Sequence, residues 1–61
     1  MNPYYEQLRE DALTRIDNII SIAYAAKELT LTGKFWAAAN ALEGLPGPVK
    51  QASAWLAELP E

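Results

Sequence analysis

The chain has 61 residues, eight carboxylates against five cationic side chains, a formal charge of −3, and neither cysteine nor histidine. Those counts exclude a disulfide framework, leave a structural zinc without its usual thiolate and imidazole ligands, and remove the commonest enzymatic nucleophiles and bases. A domain this small leaves about 40% of its unfolded surface exposed, so stability has to come from tight helix packing, self-association, or both.

In chain order, Asn2-Pro3 is a helix start: Asn can accept a backbone bond as N-cap, and proline at the first helical position gives up a donor that has no partner there. From Tyr4 to Leu31 there is neither glycine nor proline. At about 100° per residue, Tyr5, Leu8, Ala12, Ile16, Ile19, Ile20, Ala23 and Ala26 fall on one broad arc. Gln7, Glu10, Asp11, Thr14, Asp17, Asn18, Ser21 and Glu28 fall opposite. The pattern predicts one amphipathic helix over about 3–32, roughly 42 Å long, stopped by Gly33 in a left-handed conformation.

A second helix is expected over about 34–43, with Phe35, Ala38, Ala39 and Leu42 as its apolar stripe and Trp36 pointing elsewhere. The cluster Gly44-Leu45-Pro46-Gly47-Pro48 predicts a turn over 44–47. Pro48 then opens a third helix over about 48–59, with Val49, Ala52, Trp55, Leu56 and Leu59 on one face and Pro60 as its stop. Residues 1–61 thus form a single all-α domain, a long amphipathic N-terminal helix with two shorter helices folded back along it. The first helix's apolar arc is wider than the stripe of roughly 100° that one contact face requires. A helical bundle completed by oligomerisation is therefore expected, with Leu8, Ala12, Ile16, Ile19, Ile20 and Ala23 as its interface.

Little in the chain carries chemistry. Ser21 and Ser53 lie on polar faces with no base to activate them. Glu6, Glu10, Asp17 and Glu28 form an acidic strip that reads as a solvated face. No segment spaces oxygen ligands around a glycine turn as a calcium site requires. The chain is expected to have no catalytic residues, no metal and no cofactor, and not to be an enzyme. The acidic balance argues against nucleic acid and anionic membranes as partners. Met1, Asn2 and Pro3 lead into a polar first turn rather than a basic-then-apolar leader, and no apolar stretch approaches the roughly 20 residues of a membrane span. A cytoplasmic protein is expected.

The cations are segregated. Arg9, Arg15 and Lys27 project within or beside the apolar arc, whereas the carboxylates of the first helix project outside it. Their stems can lie on apolar surface while their heads reach water, and Asp11 with Arg15 makes an i,i+4 pair. Alternatively, Arg9, Arg15, Lys27 and Tyr5 line an anion site at a subunit junction, with a tyrosine stacked on a base. Phe35 and Trp55 are expected in the core. Trp36, Tyr4 and Tyr24, with Glu6, Glu10 and Asp17, are the candidate contacts to a partner protein.

Two local resemblances overlap in the middle of the chain. Residues 26–36, Ala-Lys-Glu-Leu-Thr-Leu-Thr-Gly-Lys-Phe-Trp, resemble the turn of a DNA-binding helix-turn-helix, whose second helix would offer Gly33, Lys34, Ala37 and Ala38 to base edges. Ala26, Gly33, Phe35, Ala38 and Leu42 resemble one tetratricopeptide-type hairpin, of which a solenoid needs at least about three. In size and style the chain resembles phage-encoded accessory proteins. The functional expectation is a small self-associating helical binding module, an adaptor or inhibitor that occupies a surface of another protein. The alternative is an oligomer sequestering a small anion such as a nucleotide between subunits.

Overall fold

The computed structural model describes residues 2–60; Met1 and Glu61, the end positions of the expected domain, lie outside the described residues. Among the described residues there are three helices and no strand: α1 (Pro3–Leu31), α2 (Phe35–Glu43) and α3 (Pro46–Ala57). Each boundary has a local chemical cause. The extended Asn2 backbone turns its side-chain oxygen back to accept the Tyr4 N–H at 2.8 Å, and Pro3 occupies the first helical position. At the far end the Lys34 N–H donates to the Leu29 carbonyl at 2.8 Å and the Gly33 N–H to the Thr30 carbonyl at 3.1 Å. This is the Schellman closure, and it requires Gly33 at φ +79°. The Thr30 hydroxyl donates to the Ala26 carbonyl at 2.8 Å, and the Thr32 hydroxyl lies 3.1 Å from those of Glu28 and Leu29.

The break between α2 and α3 is tighter than the proline-rich sequence suggested. The third helix begins at Pro46, so residues 46 and 47 are helical rather than part of the turn. Pro46 and Pro48 both fall in the first turn of α3, where a missing N–H costs nothing. Gly44 and Leu45 stay in the right-handed region, and their N–H groups reach the carbonyls of Ala41 and Leu42 at 3.2 and 3.1 Å. The chain therefore bends without reversing.

Both shorter helices pack along α1. They run antiparallel to it, because the Tyr4 hydroxyl near the start of α1 donates to the Glu58 carboxylate at 3.1 Å and the Arg15 guanidinium sits 5.8 Å from the Trp55 ring centroid. The result is a rod two helices wide, 47 × 15 × 14 Å, with a radius of gyration of 14.4 Å. A compact chain of this length would have about 10.5 Å. Because α2 lies back along α1, the helix-turn-helix likeness ends at the turn: that motif crosses its helices at about 90–120°.

The packed seam is a heptad pattern on both strands. On α1 it is Tyr5, Leu8, Ala12, Arg15, Ile19, Ile22, Ala26 and Leu29, all buried or half-buried. Opposite it, Ala38, Ala41, Leu45, Pro48, Ala52, Trp55 and Leu59 are likewise covered, so alternating steps of three and four pass through the bend uninterrupted. The most buried side chains are Leu8, Ala12, Ala26, Ala38 and Ala52. Two expectations fail here. Phe35 is 67% exposed, because it lies one row outside this seam. Arg15 does not pair with Asp11: Asp11 accepts from Gln7 Nε2 at 2.9 Å, while Arg15 occupies a seam position and stacks on Trp55.

Candidate functional site

Turning each strand by about 100° from the packed seam brings a second row into view. On α1 it comprises Leu13 and Ile20; on the bent strand it is Phe35, Leu42, Val49 and Leu56, seven residues apart throughout. All six are exposed, Phe35 by 67% and Ile20 by 60%. The rotation has the same sense on both strands, and on antiparallel helices that places both rows on one broad side of the rod. Of the ten large hydrophobic residues exposed among the described residues, Tyr4, Tyr24, Leu31 and Trp36 lie elsewhere, Tyr24 and Leu31 on the outer edge of α1 directly opposite its seam.

The register between strands follows from the buried alanines. Ala12 and Ala26 are two heptads apart, as are Ala38 and Ala52. Aligning Ala12 with Ala52 and Ala26 with Ala38 sets Leu13 within two residues of the level of Val49, and Ile20 within two of the level of Leu42. This side therefore carries six large apolar side chains. Helical spacing adds Arg9 and Lys27 to it, together with Glu6, which shares the seven-residue row of Leu13, Ile20 and Lys27. The opposite broad side carries Gln7, Asp11, Asn18, Asn40 and the Tyr4–Glu58 hydrogen bond. That bond, and then the Glu58 charge, hold the Tyr4 phenol above the ordinary tyrosine value.

The expected partner contacts do not converge. Glu10 and Asp17 are exposed along the outer edge of α1, and Glu6 is exposed in the row of Leu13 and Ile20. Trp36, 81% exposed, sits on the outside of α2 at the opposite edge. Tyr4 stands at the other end of the rod, and Tyr24 lies in the row of Glu10 and Asp17 on the edge of α1. Among the expected interface residues, Leu8 and Ala12 are already covered by the chain's own seam, Ile16 and Ile19 are half-buried, and Ile20 and Ala23 are exposed. Sequence reasoning missed Leu13, Phe35, Leu42, Val49 and Leu56 as a surface; the signal that could have found them is the seven-residue spacing of the last four.

The proposed anion ligands also separate. Arg15 is turned inward, and its buried Nε has no hydrogen-bond partner. Lys27 is 18 residues from Arg9, about 27 Å along the helix. Arg9 approaches Glu10 at 3.6 Å, with both side chains largely exposed. Only Arg9 and Tyr5 come together, lining with Leu59 and Pro60 a shallow cavity of about 140 Å³ at one end of the apolar side. Ser21 and Ser53 are exposed, and among the described residues no three acidic side chains gather as a metal site would require. No helix is long and apolar enough to cross a membrane among the described residues. Comparison with known protein families, curated proteins and solved structures finds no match to this chain.

Proposed function

We propose that this protein works by association rather than by chemistry: it self-associates through the apolar side and, as an adaptor or inhibitor, presents its remaining surface to another protein. The observation that supports this reading is the concentration of six large exposed hydrophobic residues on one side of the rod. An area argument points the same way. A folded chain of 6.7 kDa exposes about 3,900 Å², and this one exposes 4656 Å². The excess is about the size of one partner's share of a standard interface. Contiguous exposed apolar surface on a small protein marks an interaction surface.

Sedimentation velocity tests the reading. The wild-type chain is expected to sediment at a multiple of the single-chain mass, and Ile20→Glu with Val49→Glu is expected to reduce it to one chain while keeping helical circular dichroism. A wild-type protein that remains a single chain at about 100 μM ends the proposal. Trp36→Ala is expected to leave assembly intact and to weaken capture of a cellular partner; unchanged capture removes Trp36 from the contact surface.

A second reading is favoured by the Tyr5–Arg9 cavity alone. At about 140 Å³ it is smaller than the 300 Å³ or more typical of ligand pockets, so one chain cannot enclose a nucleotide and a neighbouring subunit would have to complete the site. Calorimetry against linear and cyclic mono- and dinucleotides separates the two readings. Heat that disappears in Arg9→Ala supports sequestration, and no heat with any of them removes it.

A further inference from the structure

We propose that the end of the rod where α1 turns into α2 docks end-on at an anionic lipid surface. Its contacts are Leu31, Phe35 and Trp36, the three most exposed large hydrophobic residues among the described residues at 70%, 67% and 81%, with Lys27 and Lys34 beside them. Leu31, Lys34 and Trp36 lie outside the broad apolar side, so the inference stands apart from self-association. It gives Trp36 a lipid surface to contact where the adaptor reading gives it a protein.

With Ala26 level with Ala38, Leu31 stands furthest out. Lys34, Phe35 and Trp36 lie one, two and three residues back from it, and Lys27 four. At 1.5 Å per residue the five occupy a belt about 6 Å deep, and the headgroup zone on each side of a bilayer is about 5–8 Å deep. Within the belt the apolar side chains face different ways: Leu31 on the outer edge of α1, Trp36 on the opposite edge, Phe35 on the broad side between them. A single protein face meets one of these directions, whereas a fluid interface closes around all three. Tryptophan suits that depth, with an apolar body and an N–H for the headgroups.

The polar groups at this end divide by sign. The carbonyls of Glu28, Leu29 and Thr30 already accept from the N–H groups of Thr32, Lys34 and Gly33, and the Thr30 and Thr32 hydroxyls donate back into α1. Leaving bulk water therefore strands few acceptors. In contrast, α2 begins with no side-chain cap, so its first N–H groups and positive pole are open to an anion at the same end. Side-chain charge agrees. Residues 27–36 hold Lys27, Lys34 and one carboxylate, Glu28, a charge of +1 in a chain of −3, which leaves −4 for the rest. Overall acidity argued against an anionic surface, but its distribution turns this end toward one and the opposite end away.

Co-sedimentation with sucrose-loaded vesicles tests this, using phosphatidylcholine alone or with about one-third phosphatidylglycerol. The wild-type chain is expected to pellet with the anionic vesicles and not with the neutral ones. Leu31→Ser with Trp36→Ser is expected to lower the partition coefficient about tenfold or more. Lys27→Glu with Lys34→Glu is expected to abolish the preference for anionic lipid, and both double variants to keep helical circular dichroism. In a Trp55→Phe chain, whose one indole is Trp36, emission is expected to shift to the blue on anionic vesicles. No pelleting of the wild type, or pelleting that both double variants leave unchanged, overturns the proposal. So does pelleting lost in Ile20→Glu with Val49→Glu but kept in Leu31→Ser with Trp36→Ser, which would put the lipid on the broad side. Absence of vesicle binding, together with a captured cellular protein lost in Trp36→Ala, overturns it in favour of a protein contact.

Discussion

The two rows of this rod differ most in the size of their side chains. The inner seam is closed around Ala12, Ala26, Ala38 and Ala52, with Leu8 as the largest well-buried side chain, whereas the outer row is Leu13, Ile20, Phe35, Leu42, Val49 and Leu56. Burying a leucine or isoleucine stabilises by about 1.5–3 kcal/mol, and an alanine methyl contributes about a third of that. Small residues inside let the two strands approach closely along a narrow seam. The larger hydrophobic contribution is left on the surface. A single chain therefore holds its shape with its weaker row and leaves its stronger row exposed.

Substitutions in the inner seam should sharpen that contrast most. Ala12→Leu, at a position with no exposure, forces the strands apart and is expected to cost about 1–3 kcal/mol. That lowers the melting temperature by about 4–8 °C per kcal/mol for a chain this size. Ala25→Leu, exposed on the polar side, should change stability by less than about 0.5 kcal/mol. Equal effects at the two positions, measured by thermal unfolding, would mean the inner seam is not the packed one. Next in size is Gly33→Ala. Open space surrounds that position, so the expected loss of about 1–2 kcal/mol comes from the left-handed backbone alone.

Arg15 is the exception within the inner seam, and its removal should work in the other direction. Methionine fills similar space and eliminates the unpartnered Nε, a group whose burial costs about 1–3 kcal/mol. Loss of the stacking on Trp55 gives back about 0.5–1 kcal/mol. Arg15→Met should therefore raise stability by about 1 kcal/mol in a urea titration. A fall instead would make Arg15 the residue that positions Trp55. The smallest effect belongs to the polar side. Tyr4 has a raised phenol pKa in the folded state, so the contribution of its bond to Glu58 is complete below about pH 10 and fades as the pH rises through the folded value. In a spectrophotometric titration Tyr4 should ionise at a higher pH in the wild-type chain than in Glu58→Gln. The stability difference between wild type and Tyr4→Phe should shrink above pH 10.

Much of the fold was legible in the sequence because its punctuation acts locally. Asn2-Pro3, Gly33 and the breaker at Gly44 each end or begin a helix through a backbone requirement that needs no tertiary information. The start of α3 was not legible, because Pro46 and Pro48 forbid little when both lie in a helix's first turn. The surface was half legible. Wrapping α1 at about 100° per residue merges two rows into one broad arc, since a heptad seam drifts about 20° per repeat, or about 60° between Leu8 and Leu29. The arc's excess width was a true signal of surplus apolar surface, but it assigned Leu8 and Ala12 to an interface between chains when the chain's own bent strand covers them. Ile22 and Leu29 were absent from the arc for the same reason. On the second strand the bend hid the continuity of Phe35, Leu42, Val49 and Leu56, because a turn inferred at 44–47 breaks the count.

The most direct test of the central claim is the melting temperature as a function of protein concentration. If the outer row is closed by a second copy, each tenfold increase adds about 1.4 kcal/mol per dimer and raises the midpoint by about 5 °C for two chains of this length. The Ile20→Glu, Val49→Glu variant should melt lower and independently of concentration. A wild-type midpoint that stays constant over a hundredfold dilution, at the value of the double variant, would contradict the account.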